Sequence, residues 1–250
     1  MLISGIIPAR YGSTRFPGKP LAMLDGKTII KRVYEQASLV LDNVYVASDD
    51  IRIAEEVKSF GGNIIMTSDT HRSGTDRCAE ALRLIRESGS DNPDVIINIQ
   101  GDEPFIKPEQ ISQLINLFSK KDVEIATLVK LIDSDKELHD VNKPKVVVAE
   151  NGYALYFSRS IVPYIRDAEP GKWLETQDFY KHIGIYGYRA DTLLSICNLQ
   201  PSPLEISESL EQLRWLENGY KIRTAITSYE SIGIDTPEDL ENAKVLLKKQ

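Results

Sequence analysis

The sequence is poor in cysteine. Cys78 and Cys197 are the two cysteines among its 250 residues, and they lie far apart without the spacing of a metal-binding motif. Small disulfide-stabilised folds and cysteine-based zinc modules are therefore excluded as classes. We expect both thiols to be reduced, as they are in proteins of the cytoplasm.

Long apolar runs and a basic excess are also absent. No stretch approaches the roughly 20 apolar residues needed to cross a bilayer, and the first four residues lack the features of a signal peptide. The net charge is −7, whereas proteins that bind a phosphate backbone normally carry a positive excess. We therefore expect a cytoplasmic protein that has neither a membrane nor a nucleic acid as its partner.

The most distinctive stretch, residues 6–20, partly matches a phosphate-binding Walker loop but lacks the Ser or Thr hydroxyl with which that loop ends. An apolar run leads into a loop rich in glycine, proline and cations, which suits a triphosphate because glycine permits close approach and cations neutralise its oxygens. In the Walker loop, however, Gly12 and Gly18 would stand one residue closer, and a Ser or Thr would replace Pro20. Any metal ligands must then come from elsewhere, and a basic surface connection is the alternative. The cations of the loop are Arg10, Arg15 and Lys19.

The spacing of apolar residues predicts the fold class. Helical stripes alternate with short, mostly apolar runs such as 44–47, 63–67 and 95–99. Strands that are apolar along their whole length indicate a parallel sheet covered on both faces. We therefore predict an α/β fold, a Rossmann-like and mostly parallel sheet with helices on both faces, forming a single domain over residues 1–250.

Ligands of such sheets bind beyond the carboxyl ends of the strands, so the residues after each strand are candidates. Asp102 follows the run 95–99, and Asp235 precedes a helix start late in the chain. One or two carboxylates together with phosphate oxygens suit Mg²⁺. Each aspartate also has a structural alternative, since Asp102 could be a turn or cap residue and Asp235 could belong to the acidic first turn of a helix.

The middle of the chain changes pattern. Apolar runs at 145–149, 153–157 and 183–188, with Asn151–Gly152 between the first two, predict a small antiparallel insertion at about 144–190. We expect it to build the acceptor side of the site and a subunit contact, with a mobile lid as the alternative for residues 163–180. Helical spacing then predicts one helix over 204–216.

Several motifs together resemble one family, 3-deoxy-manno-octulosonate cytidylyltransferase, also called CMP-Kdo synthetase. They occur in the family's order over nearly the whole chain, at residues 8–20, 73–77, 100–104, 153–159, 182–189, 210–214 and 235–240. The resemblance implies a nucleotide-diphospho-sugar transferase type of fold, a homodimer and a magnesium-dependent reaction. In that reaction CTP and the sugar acid Kdo give CMP-Kdo and pyrophosphate, for lipopolysaccharide assembly.

The same resemblance assigns the candidate residues. Catalytic roles fall to Lys19, Arg10, Asp102 and Asp235, and the two aspartates would hold one or two Mg²⁺ ions. The nucleotide would contact Ala9, Arg10, Ser13, Arg15, Lys19, Ser73 and Arg77. The sugar acid would contact Gln100, Arg159, His182, Tyr186, Glu211 and Gln212.

Two segments depart from the family pattern, residues 204–209 and residues 166–179. Both adjoin the predicted acceptor side, so use of CTP follows more directly from the sequence than the choice of sugar acid. The alternatives are a cytidylyltransferase for amino-Kdo or sialic acid, and a catalytically silent module that binds a nucleotide sugar. The two aspartates argue against the silent module, which would not need metal carboxylates.

Overall fold

The computed structural model describes residues 1–89, 91–230 and 232–247. The helices of this part of the chain are α1 (Ile29–Ser38), α2 (Ile51–Ser59), α3 (Gly74–Ser88), α4 (Pro108–Leu117), α5 (Asp135–Leu138), α6 (Trp173–Thr176), α7 (Ala190–Ile196), α8 (Pro203–Glu208), α9 (Gln212–Glu217) and α10 (Pro237–Leu247). Its strands are β1 (Ile3–Ala9), β2 (Met23–Leu24), β3 (Lys27–Thr28), β4 (Asn43–Ser48), β5 (Asn63–Met66), β6 (Val95–Asn98), β7 (Ile125–Leu131), β8 (Lys145–Val148), β9 (Ala154–Ser158), β10 (Tyr180–Arg189) and β11 (Ile222–Ile226). None of the helices described combines the length and apolarity that a membrane crossing requires.

The chain divides into two compact units. Unit 1 comprises Met1–Ser112, Arg189–Cys197 and Ser231–Gln250, and unit 2 comprises Gln113–Tyr188 and Asn198–Glu230. The prediction of one domain with an insertion at about 144–190 stays a prediction.

Unit 1 contains a parallel sheet in the order β6, β1, β4, β5. Ile6 and Ile7 of the central strand β1 are both fully buried, although successive side chains of a strand point to opposite faces. Both faces of β1 are therefore covered, as the apolar runs predict. A separate antiparallel pair, β2 and β3, precedes α1.

Unit 2 contains a mixed sheet. Strand β7 pairs in parallel with β11 and antiparallel with β10, while β8 pairs antiparallel with both β9 and β10. The turn between β8 and β9 holds Gly152 at φ 77°, a left-handed conformation that glycine adopts without strain. The predicted hairpin at Asn151–Gly152 is thus confirmed.

Residues 163–180 are part of unit 2 and pack against other residues of that unit. Trp173 and Phe179 are buried in one apolar cluster with Ile132 and Leu138, and the indole Nε1 donates to the Ala168 carbonyl at 3.0 Å. The segment contains the short helix α6 and a 3-10 turn at Pro170–Lys172. Whether it opens and closes on a substrate stays a prediction.

The prediction of one helix over residues 204–216 is wrong. Two short helices, α8 and α9, replace it, and Ser209 between them adopts φ 51° and ψ 48°. That left-handed conformation ends α8, because a right-handed helix cannot continue through it. Apolar spacing alone does not predict such a break, because Leu210 and Leu213 keep helical intervals although the chain changes direction.

Candidate active site

A cavity of about 290 Å³ lies in unit 1, where β1 and β6 end. It is lined by all of the residues assigned from the sequence to the nucleotide or the metal, and by one assigned to the sugar acid. These residues are Ala9, Arg10, Ser13, Arg15, Lys19, Ser73, Arg77, Asp102 and Asp235, with Gln100 as the sugar-acid candidate. The structure therefore brings together side chains that lie as far as 226 positions apart in the sequence, at the strand ends that the fold class indicated.

The loop after β1 is closed on itself by one carbonyl group. The Tyr11 carbonyl accepts hydrogen bonds from the N–H groups of Ser13 and Gly18, each at 2.9 Å. Gly18 has φ 73°, and a Cβ atom there would stand 3.0 Å from the Tyr11 ring, so both backbone conformation and space favour glycine. The turn delivers Lys19 to the start of a 3-10 helix, Lys19–Leu21.

Lys19 joins the two predicted metal carboxylates. Its ammonium nitrogen lies 2.6 Å from Asp102 Oδ2 and 3.0 Å from Asp235 Oδ1, and the Lys19 side chain is only 11% exposed. Arg15 approaches the other oxygen of Asp235 at 3.2 Å. Two carboxylates so close together would repel one another, and the cation between them offsets that repulsion.

Backbone contacts bring Asp235 beside Asp102. The N–H of Ile234 donates to the Asp102 carbonyl at 2.9 Å. At the start of α10, the Asp239 carboxylate accepts from the N–H groups of Asp235 and Thr236 at 3.0 and 2.9 Å. Burial raises the pKa of Asp239, but hydrogen bonds, first of all from the Thr236 side chain, outweigh it and lower the pKa below its usual range. Because Thr236 and Asp239 cap the start of α10 reciprocally, with the Thr236 hydroxyl accepting from the Asp239 N–H at 3.2 Å, the Asp235 carboxylate is left for Lys19 and Arg15.

The two carboxylates form a pair rather than a complete metal cage. Among the residues that the structure describes, no group of three or more His, Cys, Asp and Glu side chains is arranged to hold a metal ion. The pair nevertheless encloses one cation already, the Lys19 ammonium, and its donors are hard oxygen atoms. Such a donor set fits an ion that also takes phosphate oxygens and water as ligands. The assignment of Asp102 and Asp235 as metal ligands stays a prediction.

Ser73 and Arg77 line the cavity but also hold the fold together. Ser73 caps α3, its hydroxyl accepting from the Asp76 N–H at 3.1 Å. The buried Arg77 guanidinium donates to Thr67 Oγ1 at 2.6 Å and lies 3.0 Å from Asp49 Oδ1. A guanidinium has five N–H donors, so these contacts leave capacity for a ligand. Their predicted nucleotide contacts remain predictions.

Seven further residues of the cavity wall were not assigned from the sequence, and three of these have polar side chains. These three are Thr14, His71 and Arg72. His71 Nε2 makes a short contact with Glu80 of α3, which also accepts from the Ser68 N–H at 2.8 Å. Burial raises the pKa of Glu80, but the contacts with His71 and Ser68 outweigh it and lower the pKa. Position in the loop after a strand was the available signal, and it could have singled out His71.

The other predicted sugar-acid residues belong to unit 2. The Arg159 guanidinium is engaged by main-chain carbonyl groups, with Nε donating to Glu208 at 2.7 Å and Nη1 to Val141 at 2.9 Å. The Glu208 carboxylate in turn accepts from the Arg159 N–H at 2.9 Å and from the Ser158 hydroxyl at 2.6 Å. Arg159 is thus fixed from two sides, and its remaining N–H groups can still bind a carboxylate.

His182 and Tyr186 lie in an aromatic cluster on β10. Their ring centroids are 5.1 Å apart, and His182 also meets Phe157 edge-on at 5.4 Å. Burial lowers the pKa of His182 to about 4, so the imidazole is neutral at pH 7, with Nε2 3.0 Å from the Thr127 hydroxyl. Burial, and then the nearby Glu211 carboxylate, raise the pKa of Tyr186 well above its usual value. A neutral imidazole suits a contact with hydroxyl groups rather than a charged base.

Glu211 and Gln212 stand at the start of α9. Gln212 is buried, and its Nε2 atom has no hydrogen-bond partner among the described residues. The Tyr186 hydroxyl is likewise buried without a partner there. Buried polar groups are rarely left unsatisfied, so the two atoms are candidates for contact with a polar ligand. Their assignment to the sugar acid stays a prediction.

The parallel sheet of unit 1, its basic loop and the carboxylates at its strand ends define a nucleotide-binding α/β fold. A family model described as "Cytidylyltransferase" matches residues 4–222. The 3-deoxy-manno-octulosonate cytidylyltransferase of Parabacteroides distasonis is 59% identical over 251 residues, covering 99% of this chain and 98% of the relative. The protein of the same name from Bacteroides thetaiotaomicron is 56% identical over 253 residues, covering all of both chains.

A solved structure described as CMP:2-keto-3-deoxy-manno-octonic acid synthetase complexed with CTP has a TM-score of 0.91 and 41% identity, covering 100% of this chain and 99% of that one. The chain belongs to the cytidylyltransferase family. It is a nucleotidyltransferase, which confirms the predicted enzyme class and family. The predicted fold class, a mostly parallel sheet with helices on both sides, is also confirmed. Members of the family typically use a metal ion.

Proposed function

We propose that this protein activates the sugar acid Kdo with CTP, giving CMP-Kdo and pyrophosphate for lipopolysaccharide assembly. The observation that carries the proposal is the meeting of Lys19, Asp102 and Asp235 in one basic cavity. Relatives named for Kdo activation, at 59% and 56% identity over essentially the whole chain, support the choice of sugar acid. The complex of the 41% identical synthetase with CTP supports the choice of nucleotide.

The reaction is a displacement at the α-phosphorus of CTP. The anomeric hydroxyl oxygen of Kdo forms a bond to that phosphorus while the bond to the bridging oxygen of pyrophosphate breaks, and the hydroxyl proton passes to solvent. The protein mainly has to position two anions and neutralise charge that develops on the leaving group. In this proposal Arg10 and Arg15 bind the triphosphate, and Lys19 stabilises the departing pyrophosphate.

Mg²⁺ is the metal we propose, with Asp102 and Asp235 as its protein ligands. Two carboxylates that already enclose an ammonium group form a hard-oxygen set of the kind Mg²⁺ prefers. When bound, the ion would neutralise phosphate charge and favour the ionised form of an attacking hydroxyl.

Recognition of the sugar acid falls in this proposal to Gln100 and to five residues of unit 2. Arg159 suits the carboxylate of Kdo because a guanidinium can donate two parallel hydrogen bonds to it. The other residues offer uncharged or hydrogen-bonding groups to its hydroxyls, namely His182, Tyr186, Glu211 and Gln212. The functional form in the proposal is a cytoplasmic homodimer.

The test is a panel of pyrophosphate-release assays that pairs each of CTP, UTP, ATP and GTP with Kdo, amino-Kdo and sialic acid, with Mg²⁺ present. We expect CTP with Kdo to exceed every other pair by at least about tenfold, because unpaired polar groups penalise the wrong substrate. Comparable turnover with amino-Kdo or sialic acid would reassign the acceptor. Absence of turnover with every pair would favour the silent binding module.

A further inference from the structure

The loop that carries Arg10, Arg15 and Lys19 is supported from behind by residues outside the cavity. The Cζ atom of Arg52, at the start of α2, lies 3.3 Å from the centre of the Tyr11 ring. Neither Tyr11 nor Arg52 lines the cavity. A guanidinium at that distance from an aromatic ring makes a cation–π contact, whose strength falls when the planar cation is removed.

Asp50 holds Arg52 in place over the ring. Its Oδ1 atom accepts from the Arg52 Nε at 2.9 Å, and its Oδ2 atom accepts from Nη2 at 2.6 Å, a two-point contact that fixes the guanidinium plane. Asp50 is itself fixed as the N-cap of α2, accepting from the Arg52 N–H at 2.9 Å. The guanidinium is therefore anchored to a helix that belongs to the core of unit 1.

The Tyr11 side chain and carbonyl connect Arg52 to the loop. Its ring lies against Gly18, where a Cβ atom would come within 3.0 Å, and its carbonyl accepts from the N–H groups of Ser13 and Gly18. Gly18 directly precedes Lys19. Movement of the Tyr11 ring would therefore shift both Ser13 and Gly18. Because Lys19 follows Gly18 directly, its ammonium group would shift as well.

We infer that Arg52 is a positioning residue for triphosphate binding, acting through the Tyr11 ring to hold the loop in its binding conformation. The inference deepens the proposed function and rests on it. Arg52 touches no substrate in this assignment. Its contribution is preorganisation, because a loop that is already shaped loses less conformational freedom when the nucleotide binds.

The first test measures steady-state kinetics of Arg52→Ala. We expect the KM for CTP to rise about three- to tenfold, the range expected when one cation–π contact is lost. The kcat and the KM for Kdo should stay within about twofold, and the melting temperature should be little changed because the Arg52 side chain is 53% exposed. An unchanged KM for CTP would overturn the inference.

A matched control separates positioning from simple attraction of the triphosphate. Lys58→Ala removes one exposed positive charge from the same helix without touching Tyr11. A rise in the KM for CTP as large as that of Arg52→Ala would assign the effect to long-range charge and overturn the inference. Tyr11→Phe keeps the ring face and should bind CTP like the wild type.

A double-mutant cycle gives the sharpest test. Arg52→Ala should have almost no further effect on CTP binding when introduced into Tyr11→Leu, because the ring through which it acts is gone. Equal effects in both backgrounds would contradict the inference.

A further variant, Asp50→Asn, keeps the test usable if Tyr11→Leu folds poorly. It retains a side chain that can cap α2 but weakens the two-point contact with Arg52, so the KM for CTP should show part of the rise expected for Arg52→Ala. A wild type that binds CTP by calorimetry but releases no pyrophosphate would refute the proposed function and leave these binding tests valid.

Discussion

The cavity of unit 1 and the candidate residues of unit 2 solve different physical problems. In unit 1, Lys19 and Arg15 are paired with Asp102 and Asp235, so the protein holds opposite charges ready for an anion and a cation. In unit 2, His182 and Tyr186 lie in an aromatic cluster, and their buried rings are kept uncharged at neutral pH. The cations of the cavity lie in short basic motifs that can be identified in the sequence, whereas the aromatic cluster forms only when several strands pack together.

The largest effect is expected at the carboxylates. Asp102→Ala and Asp235→Ala should each lower kcat by about 10³-fold, comparable with the loss of a main group that stabilises the transition state. Each change also leaves Lys19 with one partner fewer. Pyrophosphate release measures the loss, and circular dichroism shows whether the fold persists. Near-normal turnover of Asp235→Ala in a folded protein would remove it from the catalytic set.

Lys19→Ala should have the next largest effect, lowering kcat/KM for CTP about 10²-fold, because a charge-assisted contact to the leaving pyrophosphate is lost. The variant also removes the one cation that contacts both Asp102 and Asp235 in the described structure and leaves Arg15 on Asp235 alone, so its thermal stability should fall. Lys27→Ala is the control, since Lys27 is an exposed lysine that pairs with Glu35. Unchanged kcat and KM for CTP would exclude the assigned role of Lys19.

Arg159→Ala tests whether unit 2 recognises the sugar acid. We expect the KM for Kdo to rise at least about tenfold while the KM for CTP stays constant, because the lost hydrogen bonds are charge-assisted ones to a carboxylate. Lys136→Ala removes an exposed positive charge from the same unit and should leave both constants unchanged. A rise that affects both substrates equally would indicate a general structural role, consistent with the contacts from Arg159 to Glu208 and Val141.

The pH dependence of stability should distinguish His182 from the charged pairs of unit 1. Burial lowers the pKa of His182 from 6.5 to about 4, so the unfolded chain binds the proton more readily than the folded one. Its contribution to the free energy of unfolding therefore falls as the pH drops from about 6.5 towards 4, by at most about 3 kcal/mol. Urea unfolding of His182→Gln should show a shallower decline than the wild type over this window. A slope for His182→Gln equal to that of the wild type would contradict the burial of a neutral imidazole.

The sequence predicted the parts of the molecule that depend on local pattern. Mostly apolar runs predicted the parallel strands of unit 1, and the basic loop predicted where the cavity lies. Two features could not be predicted. The contact of Lys19 with both aspartates depends on strand order, which periodicity does not record. The packing of Arg52 on Tyr11 joins two stretches whose residues look ordinary in isolation.

The break between α8 and α9 was also missed, and it supports the smallest prediction. Ser209 occupies a left-handed conformation, which costs a residue with a side chain roughly 1 kcal/mol more than glycine. Ser209→Gly should therefore raise the free energy of unfolding by about 0.5 to 1 kcal/mol, or a few degrees in melting temperature. The matched change Ser207→Gly, inside α8, should lower it by a similar amount because glycine weakens a helix interior. If Ser209→Gly lowers the free energy of unfolding as Ser207→Gly does, the backbone at Ser209 is not left-handed in solution and residues 204–216 are closer to the single helix that the sequence pattern predicts.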